Sequence, residues 1–270
     1  MLHSLLYISW NPNPDFVSFG NYSIKWYGVL WGLSLFSCFF IAQYVFKKLK
    51  RDDEKITLVI QYVFIGGLIG ARLAHILFYQ LDFYLAHPAD IIAVWKGGLA
   101  SHGGVIGGLL GLYIFCKRNK EFNFFWLLDH GIICVIMLAS LIRFGNLMKS
   151  ELYGKPTGVS WAFIFQQVDN VPRHPVVLYE SVAYFILQIF MLLLFNKVKE
   201  SKPGIYITVF LTAVFSVRFL LEFFKEPDGA IFFGVISKTQ MLNVPFILAG
   251  VILSYFVIKG RLHYKTSLNG

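Results

Sequence analysis

The sequence predicts an all-α integral membrane protein with seven transmembrane helices and a small extracytoplasmic head. Three observations predict this. Of its 270 residues 57% are hydrophobic and only 14% are charged, whereas soluble domains carry about 25% charged residues. The apolar residues come in long blocks, and seven of these reach the roughly 20 residues that a bilayer crossing needs. The basic residues fall in short runs between blocks, as membrane topology requires.

The blocks lie near 23–46, 56–80, 98–116, 124–143, 176–196, 204–223 and 241–260. Asp129 and His130 interrupt the fourth. Basic clusters follow alternate blocks: Lys47, Lys48, Lys50, Arg51 and Lys55, then Lys117, Arg118 and Lys120, then Lys197, Lys199 and Lys202, then Lys259, Arg261 and Lys265. They hold most of the 24 lysines and arginines. The positive-inside rule therefore places the N-terminus outside and the C-terminus in the cytoplasm. The chain reads as one polytopic membrane domain, 1–270. Residues 81–97, with Trp95 and tyrosines, read as interfacial. Residues 144–175, with Pro156, Pro172 and Pro175, form the head insertion between the fourth and fifth helices.

Composition also excludes several classes. A net charge of +9 could suggest nucleic acid, but a dispersed basic face with interleaved aromatics is missing. Cys38, Cys116 and Cys134 lie in or beside apolar blocks without CxxC spacing, so they read as small buried hydrophobes. The histidines form no HxxxH or HExxH pair, and no metal site is expected. No basic n-region leads directly into an apolar run with a cleavage site, so no removable signal peptide is expected. The first 22 residues read as an exposed or interfacial lead-in.

The third block opens with Gly97-Gly98-Leu99-Ala100-Ser101-His102-Gly103-Gly104 and continues through Gly107, Gly108 and Gly111. Such a bare face lets a neighbouring backbone approach closely, or leaves room for a ligand. His102 is a titratable group in this bare stretch, and an ionisable residue in a membrane segment is a functional candidate. Arg72, Arg143 and Arg218 also lie in or at the edges of apolar blocks. Each costs about 2.5–3.5 kcal/mol at a bilayer centre unless it is partnered. His102, Arg143 and Arg218 fall towards outer helix ends, so a shared outer-leaflet depth is expected.

Arg72 and His75 share a helix face and read equally well as a structural pair that binds neighbouring carbonyls. Arg218-x-x-x-Glu222-x-x-Lys225 forms a polar stripe. It is either a self-neutralising ion network or a carboxylate orienting a guanidinium for an anion, which guanidinium groups bind in bidentate fashion. Arg143-Phe144-Gly145-Asn146 leads into Glu151-Leu152-Tyr153-Gly154, delivering an arginine, an amide and a carboxylate together. Arg173-His174-Pro175 precedes Leu178-Tyr179-Glu180, with Pro175 suited to the first turn of the fifth helix. Trp26 and Tyr27 fit an aromatic belt.

In this order and spacing, Gly70-Ala71-Arg72-Leu73, Gly97-Gly98 with His102-Gly103-Gly104, Arg143 to Gly154, Arg173-His174-Pro175 with Leu178-Tyr179-Glu180, and Arg218-x-x-x-Glu222 resemble the bacterial prolipoprotein diacylglyceryl transferases. The resemblance runs from Trp26-Tyr27-Gly28 to Glu222-Phe223-Phe224-Lys225-Glu226-Pro227. It implies a multi-pass enzyme of the bacterial cytoplasmic (inner) membrane. Such an enzyme moves the diacylglyceryl group of phosphatidylglycerol onto the lipobox cysteine thiol of a prolipoprotein, forming a thioether and releasing glycerol phosphate. The resemblance ties Tyr27, His102, Arg143, Asn146, Glu151, Gly154, Arg218 and Glu222 to activity or lipid binding. The implied partners are phosphatidylglycerol, prolipoprotein signal peptides with a lipobox cysteine, and membrane lipids. The chain departs from the family pattern at Lys149, where asparagine is usual, at Val214, where many members have tyrosine, and at Lys225, where some have arginine.

The residues suit that chemistry. A thiol of pKa about 8.5 is mostly protonated at neutral pH, and a base near 6.5 such as His102 helps. Arg143 and Arg218 can stabilise charge growing on a departing phosphate ester. Glu222 and Asn146 would orient the arginines, and no metal or organic cofactor is needed. Three alternatives stand beside this reading: a divergent non-catalytic lipid-binding paralogue, a small anion or proton transporter, and an intramembrane hydrolase. The last lacks a placed nucleophile, since Ser101 adjoins His102 and the two point in different directions on a helix.

Overall fold

The structure is a computed structural model, and it describes residues 7–20, 22–52, 54–226, 231–232 and 236–264. Residues 1–6 and Asn21 of the expected lead-in, Pro227 and Lys265 lie outside the described residues. The elements in order are β1 (Ile8–Trp10), β2 (Asp15–Phe19), β3 (Tyr22–Lys25), α1 (Trp26–Lys48), α2 (Lys55–Tyr79), α3 (Leu81–Ala86), α4 (Ser101–Arg118) and α5 (Phe124–Met148). They continue with β4 (Phe163–Phe165), β5 (Pro172–Arg173), α6 (Val176–Val198), α7 (Ile205–Leu221), β6 (Ile231–Phe232), β7 (Ile236–Ser237) and α8 (Lys238–Ile258).

The protein is mostly helical and integral to a membrane. Among the described residues six helices are long and apolar enough to cross one: Trp26–Lys48, Lys55–Tyr79, Phe124–Met148, Val176–Val198, Ile205–Phe224 and Lys238–Ile258. Their outward faces are apolar, with Phe36, Ile69, Ile186, Leu193 and Ile252 exposed, while Ser140, Ser181 and Gln188 are buried. That is the reverse of a soluble protein and suits hydrocarbon as the solvent. The third expected block also forms a helix, α4, but its 18 residues include five glycines and end in Lys117 and Arg118. It is not among the six.

Three boundaries differ from expectation. The third block does not become helical at 98, because Gly97 and Gly98 sit at φ +88° and +75°. That region favours glycine and is incompatible with a right-handed helix. The helix starts at Ser101 instead. Helix α5 continues to Met148, so 144–148 belong to it and not to the head insertion. Residues 22–25 form a strand, paired antiparallel with β2, ahead of α1.

The chain divides into two compact units, Met1–Ala42 with Asp129–His263, and Gln43–Leu128 with Tyr264–Gly270. In the second unit, α2 and α4 pack backbone to backbone. A Cβ at Gly107 would lie 2.9 Å from the Gly70 Cα, and one at Gly111 2.8 Å from the Tyr62 carbonyl carbon. The tight-packing reading of the glycines therefore holds. The expected room for a ligand along Gly103 and Gly107 does not, because Gly70 and Gly66 of α2 fill it.

Arg72 is the hub of the same unit. Its Nε donates to the Ile91 carbonyl at 2.9 Å, Nη1 to Gly97 and Gly98 at 2.5 and 3.0 Å, and Nη2 to Asp90 and Ala93 at 2.5 and 3.3 Å. Its guanidinium also lies 4.9 Å from the Tyr84 ring centroid. The residues between α3 and α4 run in two short 3-10 turns that leave carbonyls without helical partners, and one buried cation gathers them. The expected binding of neighbouring carbonyls by Arg72 is thus present.

In the first unit, β1 runs parallel to β4, which pairs antiparallel with β5. The lead-in is thereby woven into the head. Trp10 donates its indole N–H to the Leu147 carbonyl at 3.0 Å and packs with Leu147, Phe163, Phe165 and Val177. Ser140 and Ser181 exchange hydroxyl-to-carbonyl bonds of 2.8 and 3.0 Å between α5 and α6. Asp129 accepts from the backbone N–H groups of Gly204 and Ile207 at 3.0 and 2.7 Å. The carboxylate that interrupts the fourth block thus caps the N-terminus of α7, where the helix dipole favours an anion.

Two substitutions test this packing. Gly107→Leu should destabilise the protein by about 1–3 kcal/mol or more through overpacking. Gly131→Ala, where a Cβ meets nothing within 4 Å, should change little. Thermal unfolding in detergent reads both, and equal midpoints for the two variants would contradict the α2–α4 packing.

Candidate active site

The site lies within the first unit, where α5, α6, α7, the turn after α7 and the start of α8 surround a cavity of ≈ 200 Å³. Arg143 of α5 and Glu180 of α6 meet across it, Nε to Oε2, at 2.8 Å. Arg218 from the last turn of α7, Glu222, Lys225 and Thr239 complete its polar lining. Leu152, Val176 and Val177 supply the apolar part. Three cations and two carboxylates leave an excess of one positive charge on the wall. Among the described residues no group of three or more acidic, histidine or cysteine side chains could hold a metal ion.

The two arginines differ in kind. Arg143 is held by a carboxylate. Arg218 makes no ion pair with the described residues, and its Nε is buried without a hydrogen-bond partner. The expected Arg218–Glu222 pairing along one helix does not form. The backbone keeps the i,i+4 relation, since the Glu222 N–H donates to the Arg218 carbonyl, but the Glu222 side chain turns towards α8. Its Oε1 instead accepts the Ser237 hydroxyl at 3.0 Å, at the capping box that opens α8.

Asn146 does not orient an arginine either. Its Nδ2 donates to Glu151 Oε2 at 3.3 Å, and Lys149 Nζ pairs with Glu151 Oε1 at 2.5 Å. The Lys149 ammonium lies 5.1 Å from the Tyr27 ring centroid, and that ring passes so close to Gly145 that a Cβ there would be 3.0 Å away. Tyr27, Asn146, Lys149 and Glu151 thus form one cluster. Gly154 sits where a Cβ would come within 2.7 Å of the Phe224 carbonyl oxygen. It is bridged to Lys225, which ties the head to the cavity wall. His102 is exposed at the start of α4, in the other unit, and makes no hydrogen bond or ion pair with the described residues.

The head is stapled by Arg173. Its guanidinium pairs with Asp169 at 2.7 Å and Glu226 at 2.8 Å, donates to the Gly154 carbonyl at 3.1 Å, and covers the Tyr153 ring. Pro175 precedes the first turn of α6 instead of lying in it. Burial holds His174 below the usual imidazole value, and its Nδ1 lies 3.3 Å from the Tyr179 hydroxyl, which Trp161 also engages.

Glu180 is the site residue that sequence reasoning passed over. Its signal was available, since a carboxylate just inside an apolar block needs a cation. A match to the family described as prolipoprotein diacylglyceryl transferase covers residues 14–256. The chain belongs to this family. Curated relatives named phosphatidylglycerol–prolipoprotein diacylglyceryl transferase agree across their length. The Chloroherpeton thalassium protein is 44% identical over 97% of this chain and 98% of its own. The Tolumonas auensis protein is 42% identical over 93% and 98%, and the Bacteroides fragilis protein 38% over 97% and 99%. The matched span includes the whole cavity wall and the Tyr27–Glu151 cluster.

Two outcomes check the geometry. Glu180→Gln should destabilise the protein by about 2–4 kcal/mol, because a guanidinium is left uncompensated. The Arg143→Gln, Glu180→Gln double variant should lose less than the sum of the singles in a detergent unfolding cycle. The Arg173 guanidinium holds the Asp169 carboxyl below its ordinary 3.8. Its contribution is complete above about pH 4 and is lost as pH falls through the depressed value. Proteolysis of the 149–175 segment should therefore rise below about pH 4 in the natural protein. Asp169→Asn should be cleaved readily at every pH.

Proposed function

We propose that this protein transfers the diacylglyceryl group of phosphatidylglycerol to the lipobox cysteine of prolipoproteins. The observation that carries the reading is the cavity on which Arg143 and Arg218 meet with one surplus positive charge, which suits a phosphodiester monoanion. The substrate thiol attacks the diacylglyceryl carbon that bears the phosphate. A carbon–sulfur bond forms, the carbon–oxygen bond breaks, and glycerol phosphate leaves with the electron pair. Arg218, lacking a carboxylate partner, receives the negative charge as it grows, and Arg143 is kept oriented by Glu180. Such stabilisation is worth most where water is excluded.

His102 takes the thiol proton in this scheme. Its exposure, with no hydrogen bond or ion pair among the described residues, supports the assignment, because an unengaged imidazole nitrogen can accept a proton. Tyr27, Asn146, Glu151, Gly154 and Glu222 bind the lipid donor or shape its surroundings. The enzyme is a multi-pass protein of the bacterial cytoplasmic membrane, with α4 as a seventh crossing, the N-terminus and head outside and the C-terminus inside. Basic residues gather at and beside the short connectors after α1, α4 and α6, as Lys47, Lys48, Lys50, Arg51 and Lys55, as Lys117, Arg118 and Lys120, and as Lys197, Lys199 and Lys202, which supports that orientation.

Incubation of purified protein with labelled phosphatidylglycerol and a lipobox peptide should yield a peptide heavier by one diacylglyceryl group. Arg143→Ala and Arg218→Ala should each lower kcat/KM by about 10²–10³. His102→Ala should lower it by about 10²–10⁴. Absence of the mass shift with folded natural protein would sink the functional reading, and full turnover by His102→Ala would sink the base assignment alone.

A further inference from the structure

We propose that Thr239 is a specificity-determining residue whose hydroxyl, together with Glu222, binds the alcohol groups of the donor lipid's glycerol headgroup. The inference rests on the function proposed above. Thr239 lies on the wall of the same cavity as Arg143, Arg218 and Glu222. It belongs to the first turn of α8, and the rest of that turn is fixed. The Ser237 hydroxyl donates to Glu222 at 3.0 Å and accepts the Gln240 N–H at 3.1 Å. The Gln240 side chain accepts the Ser237 N–H at 2.9 Å and donates to the Phe219 carbonyl of α7 at 3.2 Å. Lys238 is exposed. Thr239 is the remaining polar side chain of the turn, and its hydroxyl makes no hydrogen bond with the described residues.

The chemistry of the wall sorts the parts of the ligand. Guanidinium groups offer donors only and suit phosphate oxygens. An ionised Glu222 offers acceptors only and repels a phosphate, so it calls for a donor. Ser237 serves its Oε1, whereas Oε2 has no hydrogen bond or ion pair with the described residues. A threonine hydroxyl accepts as well as donates. An unengaged carboxylate oxygen and an unengaged hydroxyl, on one wall with two arginines, match a pair of alcohol groups carried on a phosphate ester. The departing half of phosphatidylglycerol has such a pair. A headgroup without them leaves Glu222 and Thr239 unserved, and a site built to hydrogen-bond a hydroxyl rejects the analogue that lacks it.

The test measures transfer to a lipobox peptide from phosphatidylglycerol and from phosphatidylethanol, which keeps the phosphate and lacks the headgroup hydroxyls. Natural protein, Thr239→Val and Thr239→Ser are compared, each full length in non-ionic detergent. Natural protein should prefer phosphatidylglycerol in kcat/KM. Thr239→Val removes the hydroxyl at nearly constant shape and should lower that preference about tenfold. Thr239→Ser keeps the hydroxyl and should keep the preference. Each preference is a ratio taken on one preparation, so any loss of folded protein cancels. An unchanged preference in Thr239→Val, or an equal fall in Thr239→Ser, overturns the proposal. Natural protein that uses both lipids equally well overturns the inference and leaves the function standing. Failure of natural protein to transfer from either lipid overturns the function, and the inference with it.

Discussion

A guanidinium surrounded by apolar side chains must find partners, and the architecture follows from how each arginine is served. Hydrocarbon offers no water to a charge, so the protein supplies carbonyls, carboxylates or rings. Arg72 receives five carbonyls from the segment ahead of α4. Arg173 draws Asp169, Glu226 and Gly154 into one head. Arg143 has Glu180. Each of these arginines fixes elements that local propensity alone leaves undetermined. Arg218 is the exception: among the described residues it has no carboxylate partner, and its Nε is buried without a hydrogen bond.

Small residues do the complementary work. Helices in lipid gain little from burying apolar surface against one another, so close van der Waals approach has to hold them. The α2–α4 pair achieves this by removing side chains from both helices, with Gly66 and Gly70 against Gly103, Gly107 and Gly111. The same glycines lower the apolar content of α4. A helix chosen for packing is therefore the weakest on a hydropathy scale.

The helical spans were legible because continuous apolar runs of bilayer length have few other solutions. Their ends were less so. Gly97 and Gly98 read as part of a helix face, yet their positive φ angles make them the turn before it. Met148 closes α5 later than expected because Arg143 and Asn146 are polar, which looks like a helix end in sequence but is a polar face in the fold. The strand pairing of Ile8–Trp10 with Phe163–Phe165 joins segments more than 150 residues apart, and no local signal announces it.

Composition and block length alone give a helical membrane protein, and motif order gives its family. Composition, block length and motif order are properties of the chain and need no partner. The tertiary structure alone decided who pairs with whom. It gave Arg143 to Glu180, Glu222 to Ser237 and Asn146 to Glu151, against the local spacing that joined Glu222 to Arg218. The physical reason is that a charge in an apolar setting is satisfied by whatever the packed neighbours bring within about 3 Å. Arg143 and Glu180 come from two different helices, and Glu222 and Ser237 from the two ends of the segment between α7 and α8, so spacing along one helix cannot foresee them.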